Sequence, residues 1–258
     1  GNNASITNSG ASMTVSGEID NGNNFVAENK NGNMLFNGTL SNAKDATLLN
    51  SGSYQTVGGS IVNGGNLVVT NNGTGDLSMT GTVDNEGVTN VINNAKGGKL
   101  TLSGLLDSAK DLVVRNNGKG EMLVSGTVKG GADTELTNNG EKLTISGTVE
   151  NANELQITNA GRGGLTTTED SKITNGGLLY VTNNAGDMSL NGDITNTGSN
   201  TQILNKGVNA YVGGTLNNAN DLTITNSGIG ALTVAGVIAN GNNASITNSG
   251  ASMTVSGE

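Results

Sequence analysis

The chain is 258 residues long and carries 12 Lys and Arg against 21 Asp and Glu, a formal charge of −9, which excludes binding dominated by nucleic-acid phosphates or by anionic lipid. It has no Cys, no Pro and no His, so a disulfide framework, thiolate ligands, a Cys nucleophile and the commonest general base and metal ligand are all removed. A hydrophobic share of 33% with 2% aromatics and 42 Gly is thin for a globular core and close to the composition of disordered chains, so order has to come from periodicity.

From the N-terminus, the first unit sets a grammar of three short stretches: Ala4-Ser5-Ile6-Thr7-Asn8, then Met13-Thr14-Val15-Ser16-Gly17, then a single aliphatic, Ile19, before Asn21. Alternation of period two predicts strands, and the Asn and Gly clusters predict corners. Equivalent unit ends recur at Asn42, Asn63, Asn85, Ser108, Gly130, Asn151, Asn175, Asn196, Asn218 and Asn240, spaced 21 to 24 residues apart. "NLVVTNNGTGDLSMTGTVDN" (Asn66 to Asn85) restates the grammar. So do "ELQITNAGRGGLTTTEDSKITN" (Glu154 to Asn175), with an insertion, and "DLTITNSGIGALTVAGVIAN" (Asp221 to Asn240). At Gly241 the opening eighteen residues return unchanged, so eleven units make a super-period of 240 residues. No apolar run approaches the length of a membrane-spanning helix, and no helical period is sustained.

Aligning the units gives columns. The third-stretch column is Ile19, Leu40, Ile61, Val83, Leu106, Val128, Val149, Ile173, Ile194, Leu216 and Ile238. The first-stretch column runs Ile6, Ala27, Leu48, Val69, Val91, Val114, Leu136, Ile157, Val181, Ile203, Ile224. A further column is wholly asparagine: Asn8, Asn29, Asn50, Asn71, Asn93, Asn116, Asn138, Asn159, Asn183, Asn205 and Asn226. Amides stacked about 4.8 Å apart can bond from turn to turn, and Asn also tolerates the left-handed backbone of a sharp corner. A Gly column from Gly17 to Gly236 marks a second corner and breaks at Glu169, where an outward bulge is expected. Strands this short cannot bury a face alone but can when stacked. The expected fold is all-β: a right-handed parallel β-helix with about 22 residues and three short strands per turn, continuous over residues 1–258 without separate domains. The pattern starts in mid-phrase and shows no polar cap, as expected of an interior piece of a longer array or one that stacks end to end.

Units such as "LTITNSGIGALTVAGVIAN" resemble the repeats of secreted bacterial β-helical adhesins, namely autotransporter passenger domains and filamentous-haemagglutinin-type exoproteins. The resemblance implies export and display at the cell surface and transfers no individual functional residue. The expected role is a structural extracellular rod, part of a surface fibre or adhesin stalk, needing no cofactor. Expected partners are further copies of itself and host or bacterial surface receptors or glycans, with no nucleic acid and no membrane insertion.

Rival chemistries would show in the outward columns. A glycan- or receptor-binding module would concentrate aromatics, and Tyr54, Tyr180 and Tyr211 are dispersed. A β-helical polysaccharide-degrading enzyme would cluster carboxylates. The candidates are Asp84 and Asp107, followed by Lys129 and Glu150, and the pair Glu169 and Asp170; a solvated face explains them as well. "NNGTGDLSM" (Asn71 to Met79) matches a calcium-solenoid pattern only through Asp76, which most other units do not repeat. A Thr array for ice binding is interrupted by Leu35, Leu123 and Tyr211.

Overall fold

The computed structural model describes residues 3–257. Within them the chain is all-β and coils as a parallel β-helix, with three strands per turn. The first strands of successive turns form one twelve-stranded sheet, from Ala4–Asn8 to Ala244–Asn248. The second strands form another, from Met13–Val15 to Met253–Val255, and the third strands form an eleven-stranded sheet from Glu18–Asn21 to Ile238–Asn240. At ~4.8 Å per strand spacing, eleven turns span roughly 50 Å.

Register follows the sequence columns. Ile6 lies opposite Ala27, and Ala27 opposite Leu48. Ile19 lies opposite Leu40, and Leu216 opposite Ile238. Alternation then makes the interior: strands such as Leu67–Asn71 and Leu77–Met79 bury every second residue. The buried aliphatics make one continuous cluster from Met13 to Val234. Two inward residues from each of the first and second strands and one from the third fill a core that a 33% hydrophobic chain can supply.

Two corners differ from the sequence expectation. Among the described residues no non-glycine residue has a positive φ, so the ladder asparagines do not turn the chain through left-handed backbone. The glycine column has ordinary φ as well; positive values occur at Gly32, Gly164 and Gly186 instead. Its glycines are required by contact between turns. At most of these corners two consecutive N–H groups converge on one carbonyl of the turn below, as Gly58 and Gly59 do on Phe36 O at 2.8 and 3.0 Å. A β-carbon at Gly59 would lie 1.9 Å from Gly38 O, and one at Gly104 would lie 1.9 Å from Gly81 O, too close for any side chain.

The bulge expected at Glu169 is present, but the residue occupying the glycine column is Ser171. Lys172 N–H bonds Gly147 O, and Asp193 N–H bonds Ser171 O, which places Ser171 between Gly147 and Gly192. Glu169 and Asp170 are a two-residue excursion, both exposed. It is closed by Ser171, whose N–H and Oγ both bond Thr168 O, at 3.1 and 2.8 Å.

One inward position of the second sheet is polar in an aliphatic column. Gln55 is fully buried between Met34 and Leu77. Its Nε2 donates to Leu48 O at 3.3 Å, while its Oε1 has no partner. Replacing it with Leu, the residue of several neighbouring turns, removes an orphaned acceptor. Gln55→Leu is expected to stabilise the coil by about 1–2 kcal/mol, read as a higher denaturation midpoint in urea; a lower midpoint would show that the Leu48 contact outweighs the orphan.

Candidate functional site

The feature that recurs in every turn is amide stacking. Asn8 Nδ2 donates to Asn29 Oδ1 at 2.8 Å, and the same bond repeats through Asn50, Asn71, Asn93, Asn116, Asn138, Asn159, Asn183, Asn205 and Asn226 to Asn248, at 2.7–3.0 Å. From Asn29 to Asn226 these side chains are fully buried. The second amide hydrogen commonly closes onto a carbonyl of its own corner, as Asn71 does on Gly75 O at 2.8 Å. The oxygen often accepts an N–H two residues on as well, as from Gly73 at 3.2 Å. A buried amide is tolerable when its donors and acceptor are used, and this geometry uses them.

The positions that mark unit ends in the sequence form a second buried ladder. Asn21, Asn42, Asn63 and Asn85 bond in sequence at 2.6–2.7 Å, and Asn151, Asn175, Asn196, Asn218 and Asn240 resume it at 2.7–3.4 Å. The gap falls where the sequence has Ser108 and Gly130. Hydroxyls bridge its first step: Asn85 Nδ2 donates to Thr89 Oγ1 at 2.8 Å, and Thr89 Oγ1 donates to Ser108 Oγ at 2.9 Å. At Gly130 nothing does, and Thr134 Oγ1 and Asn151 Oδ1 are left buried without partners. A third, exposed row runs beside the first with opposite polarity: Asn139 donates to Asn117, Asn117 to Asn94 and Asn94 to Asn72, at 2.8–2.9 Å.

The outward carboxylates are brought into one column as the sequence spacing implies: Asp84 is opposite Asp107, Asp107 opposite Lys129 and Lys129 opposite Glu150. Lys129 Nζ sits 3.0 Å from Asp107 Oδ2, and that hydrogen bond holds the ammonium charged to higher pH than an isolated lysine. Asp107 is thereby engaged by its neighbour. Arg115 and Glu135, also on adjacent turns, pair through Nε and Oε1 at 2.8 Å. The guanidinium pulls the Glu135 carboxyl below the usual glutamate range, helped by Thr137. Asp76 Oδ1 accepts the Lys99 N–H one turn on at 2.8 Å, and Asp45, Asp187 and Asp221 do the same for Asn66, Asn209 and Asn243. These aspartates act as caps between turns, and Asp111 and Asp133 do the same for Asp133 and Glu154, so that Asp45, Asp111, Asp133 and Asp221 share one column at the entry to the first strands. Glu169 and Asp170 lie apart from these columns. Tyr180 projects from the first sheet and Tyr211 from the second, while Tyr54 sits in a corner before a second strand; the coil does not gather them.

Beside the second ladder runs a shallow groove. One stretch of 380 Å³ is lined by Asp20, Ser41, Val62, Asp84 and Glu86, and another of 480 Å³ by Asp107, Lys129, Gly130 and Glu150. Its floor is a column of mostly small residues, including Gly22, Ala43, Gly64, Ala109, Gly131 and Ala152. Among the described residues no three of His, Cys, Asp and Glu converge on a metal-sized site, and no helix is long and apolar enough to cross a membrane. No family model, curated protein or solved structure matches the chain.

Two substitutions test the ladders. Asn116→Ala removes a rung between Asn93 and Asn138 and opens a void, and is expected to cost about 2–4 kcal/mol in denaturant unfolding. Gly130→Asn supplies the missing rung; its β-carbon would lie 2.0 Å from Thr134 Oγ1, which can rotate away, and 2.8 Å from Asn151 Oδ1, the acceptor of the new rung, whose amide must shift to receive it. It is expected to raise stability by about 1 kcal/mol, seen as a later thermal transition; a loss would show that the gap is sterically closed.

Proposed function

We propose that the chain is a length-generating segment of an extracellular rod, a bacterial surface fibre or adhesin stalk, whose reach comes from repeating a 240-residue block. The observation that supports this is phase. Residues 241–258 repeat residues 1–18, and the repeat occupies the same strands: Ala244–Asn248 in the sheet of Ala4–Asn8 and Met253–Val255 in the sheet of Met13–Val15. A block thus advances the coil by a whole number of turns. Copies joined head to tail continue all three sheets, the core and both ladders without a kink. Length then scales with copy number at roughly 50 Å per block, with no ligand needed to set it. The surface fits exposure to solvent along its whole length, because the polar groups that face outward are Thr, Ser, Asn and Asp, many of them bonded across turns.

A second function, recognition of surface glycans or receptors along the shaft, is favoured by the groove beside the second ladder, whose outward carboxylates, among them Asp20, Asp84, Glu86 and Glu150, suit sugar hydroxyls.

The rod is tested by expressing one, two and three joined blocks and measuring particles by electron microscopy. Expected are straight rods that lengthen by roughly 50 Å per block; particles that bend at the joins or fail to lengthen would defeat the proposal. Antibody labelling of intact source cells tests the location, with surface label expected. Binding to a glycan array that weakens on Asp84→Asn would establish the second role.

A further inference from the structure

We propose that the coil also pairs side by side with a second copy of itself, in the same direction and at the same height, the corner between its first and second sheets lying in the partner's groove. This extends the rod sideways and does not depend on how copies join end to end.

Charge carries it first. The corner between first and second strands holds six of the twelve cations, namely Lys30, Lys96, Lys99, Lys119, Arg162 and Lys206, against four acids. The third strands carry six acids and the corner after them six more, against four lysines in all. In a coil of three walls, the cationic corner lies across the section from the third sheet. Two opposite sides of the coil thus carry opposite charge, although the whole is negative. Lys96, Lys119 and Arg162 are exposed, and none of the ion pairs formed among the described residues includes them.

The two sides also match in height. Counted from the turn of Ala4–Asn8, Lys96, Lys119 and Arg162 stand on the fifth, sixth and eighth turns. Asp84, Glu86, Asp107 and Glu150 line the groove from the fourth turn to the seventh. The groove floor there holds an unanswered acceptor. Asn151 is 7% exposed, and its Oδ1 has no partner. That oxygen faces the rung that Gly130 leaves empty, and both residues line the groove. Its partial negative charge adds to that of Asp107 and Glu150, at the height where the partner's Lys119 lies.

Further along, both surfaces change character together. Val208 and Ile229, on the tenth and eleventh turns of the cationic corner, are 39% and 82% exposed. The exposure of Ile229 is not that of a last turn, because another follows it, with Ala251 N–H bonded to Gly230 O. The groove at this height is a stretch of 410 Å³ lined by Thr195, Thr197, Asn217, Ala219 and Ala239, with no charged side chain. An apolar ridge thus meets an uncharged groove where a cationic ridge has ended. This fixes the direction. Reversing one copy while keeping the charged turns opposed would bring Ile229 beside the partner's Asp20 and Asp45.

Ridge and groove lie on opposite sides, so each copy can use both at once, and the contact propagates as an open array. A single exposed ion pair adds little. Strength comes from repetition, since joined blocks present the whole set again and engage it together.

Sedimentation of the 258-residue chain tests the pairing. At about 0.1 M NaCl, where charges beyond ~10 Å are screened, the average mass is expected to climb with concentration. At about 1 M, with screening at ~3 Å, it is expected to fall to that of one chain. The variant K96E/K119E/R162E turns the ridge acidic, and D84K/E86K/E150K turns the groove cationic. Each alone is expected to stay at the mass of one chain, with the circular dichroism of the parent, and an equimolar mixture to regain association. The chain has no cysteine, so I229C/A219C with a short thiol-to-thiol crosslinker reports direction. These two sites lie on opposite sides of one molecule, and covalent dimers and longer multiples are expected. A parent chain that stays single at the lower salt, association that survives reversal of the ridge, or a mixture that stays single would each overturn the pairing. Association of the mixture without crosslinking of I229C/A219C would overturn its direction. The length series of joined blocks decides the rod independently of all these outcomes.

Discussion

Everything in this coil depends on equivalent residues lying directly above one another at strand spacing. A parallel stack imposes a rule on every column: a side chain must be compatible with the one a turn above and a turn below, at ~4.8 Å. Aliphatics meet that rule by packing like on like, amides by bonding donor to acceptor, and glycine where two backbones touch. Charge does not meet it, since like charges one rung apart repel. Opposite charges accordingly lie within reach on adjacent turns, with Lys129 between Asp107 and Glu150 and Arg115 diagonal to Glu135, although Asp84 still stands one rung from Asp107.

The two buried amide ladders make register all-or-none. A slip of one residue would turn each strand inside out, placing Thr or Ser in the core and sending the asparagines to the surface. Their net contribution to stability is modest, because each replaces bonds to water. Their penalty when unmade is large, because a buried amide without partners has nowhere to recover its solvation. The ladders therefore discriminate against misaligned coils more than they strengthen the aligned one. The gap at Gly130, with its orphaned Thr134 and Asn151 oxygens, shows that a missing rung is tolerated when the aliphatic columns on either side remain intact.

Most of the architecture is legible in the sequence because the fold is periodic and each column is sampled many times. The Ile19 and Ile6 columns and the Asn8 ladder all fall where alignment of the units places them. What is not legible has local causes. The second ladder reads as a set of unit boundaries because Ser108 and Gly130 interrupt it, and an interrupted column looks like punctuation. Ser171 is hidden as the holder of the glycine position because an insertion shifts the count by two, and only the Gly147 and Gly192 hydrogen bonds restore it. The aspartate caps stand in two columns, Asp45, Asp111, Asp133 and Asp221 before first strands and Asp76 and Asp187 before second strands, and sharing those columns with Asn, Glu, Val and Leu they show their role only in the backbone N–H bonds they accept across turns. The reason for the glycine column, contact with a neighbouring backbone, involves no side chain and leaves only the absence of one as its trace.

The excursion at Glu169 and Asp170 has a consequence for how such a shaft can diversify. The chain leaves the wall after Thr168 and re-enters at Ser171, and the turns on either side keep their alignment. Extra polypeptide can be spliced into that opening without altering the pitch above or below it, so decoration and elongation are independent variables. A lineage can then graft loops, epitopes or whole folded modules onto one side while the spine beneath is copied unchanged.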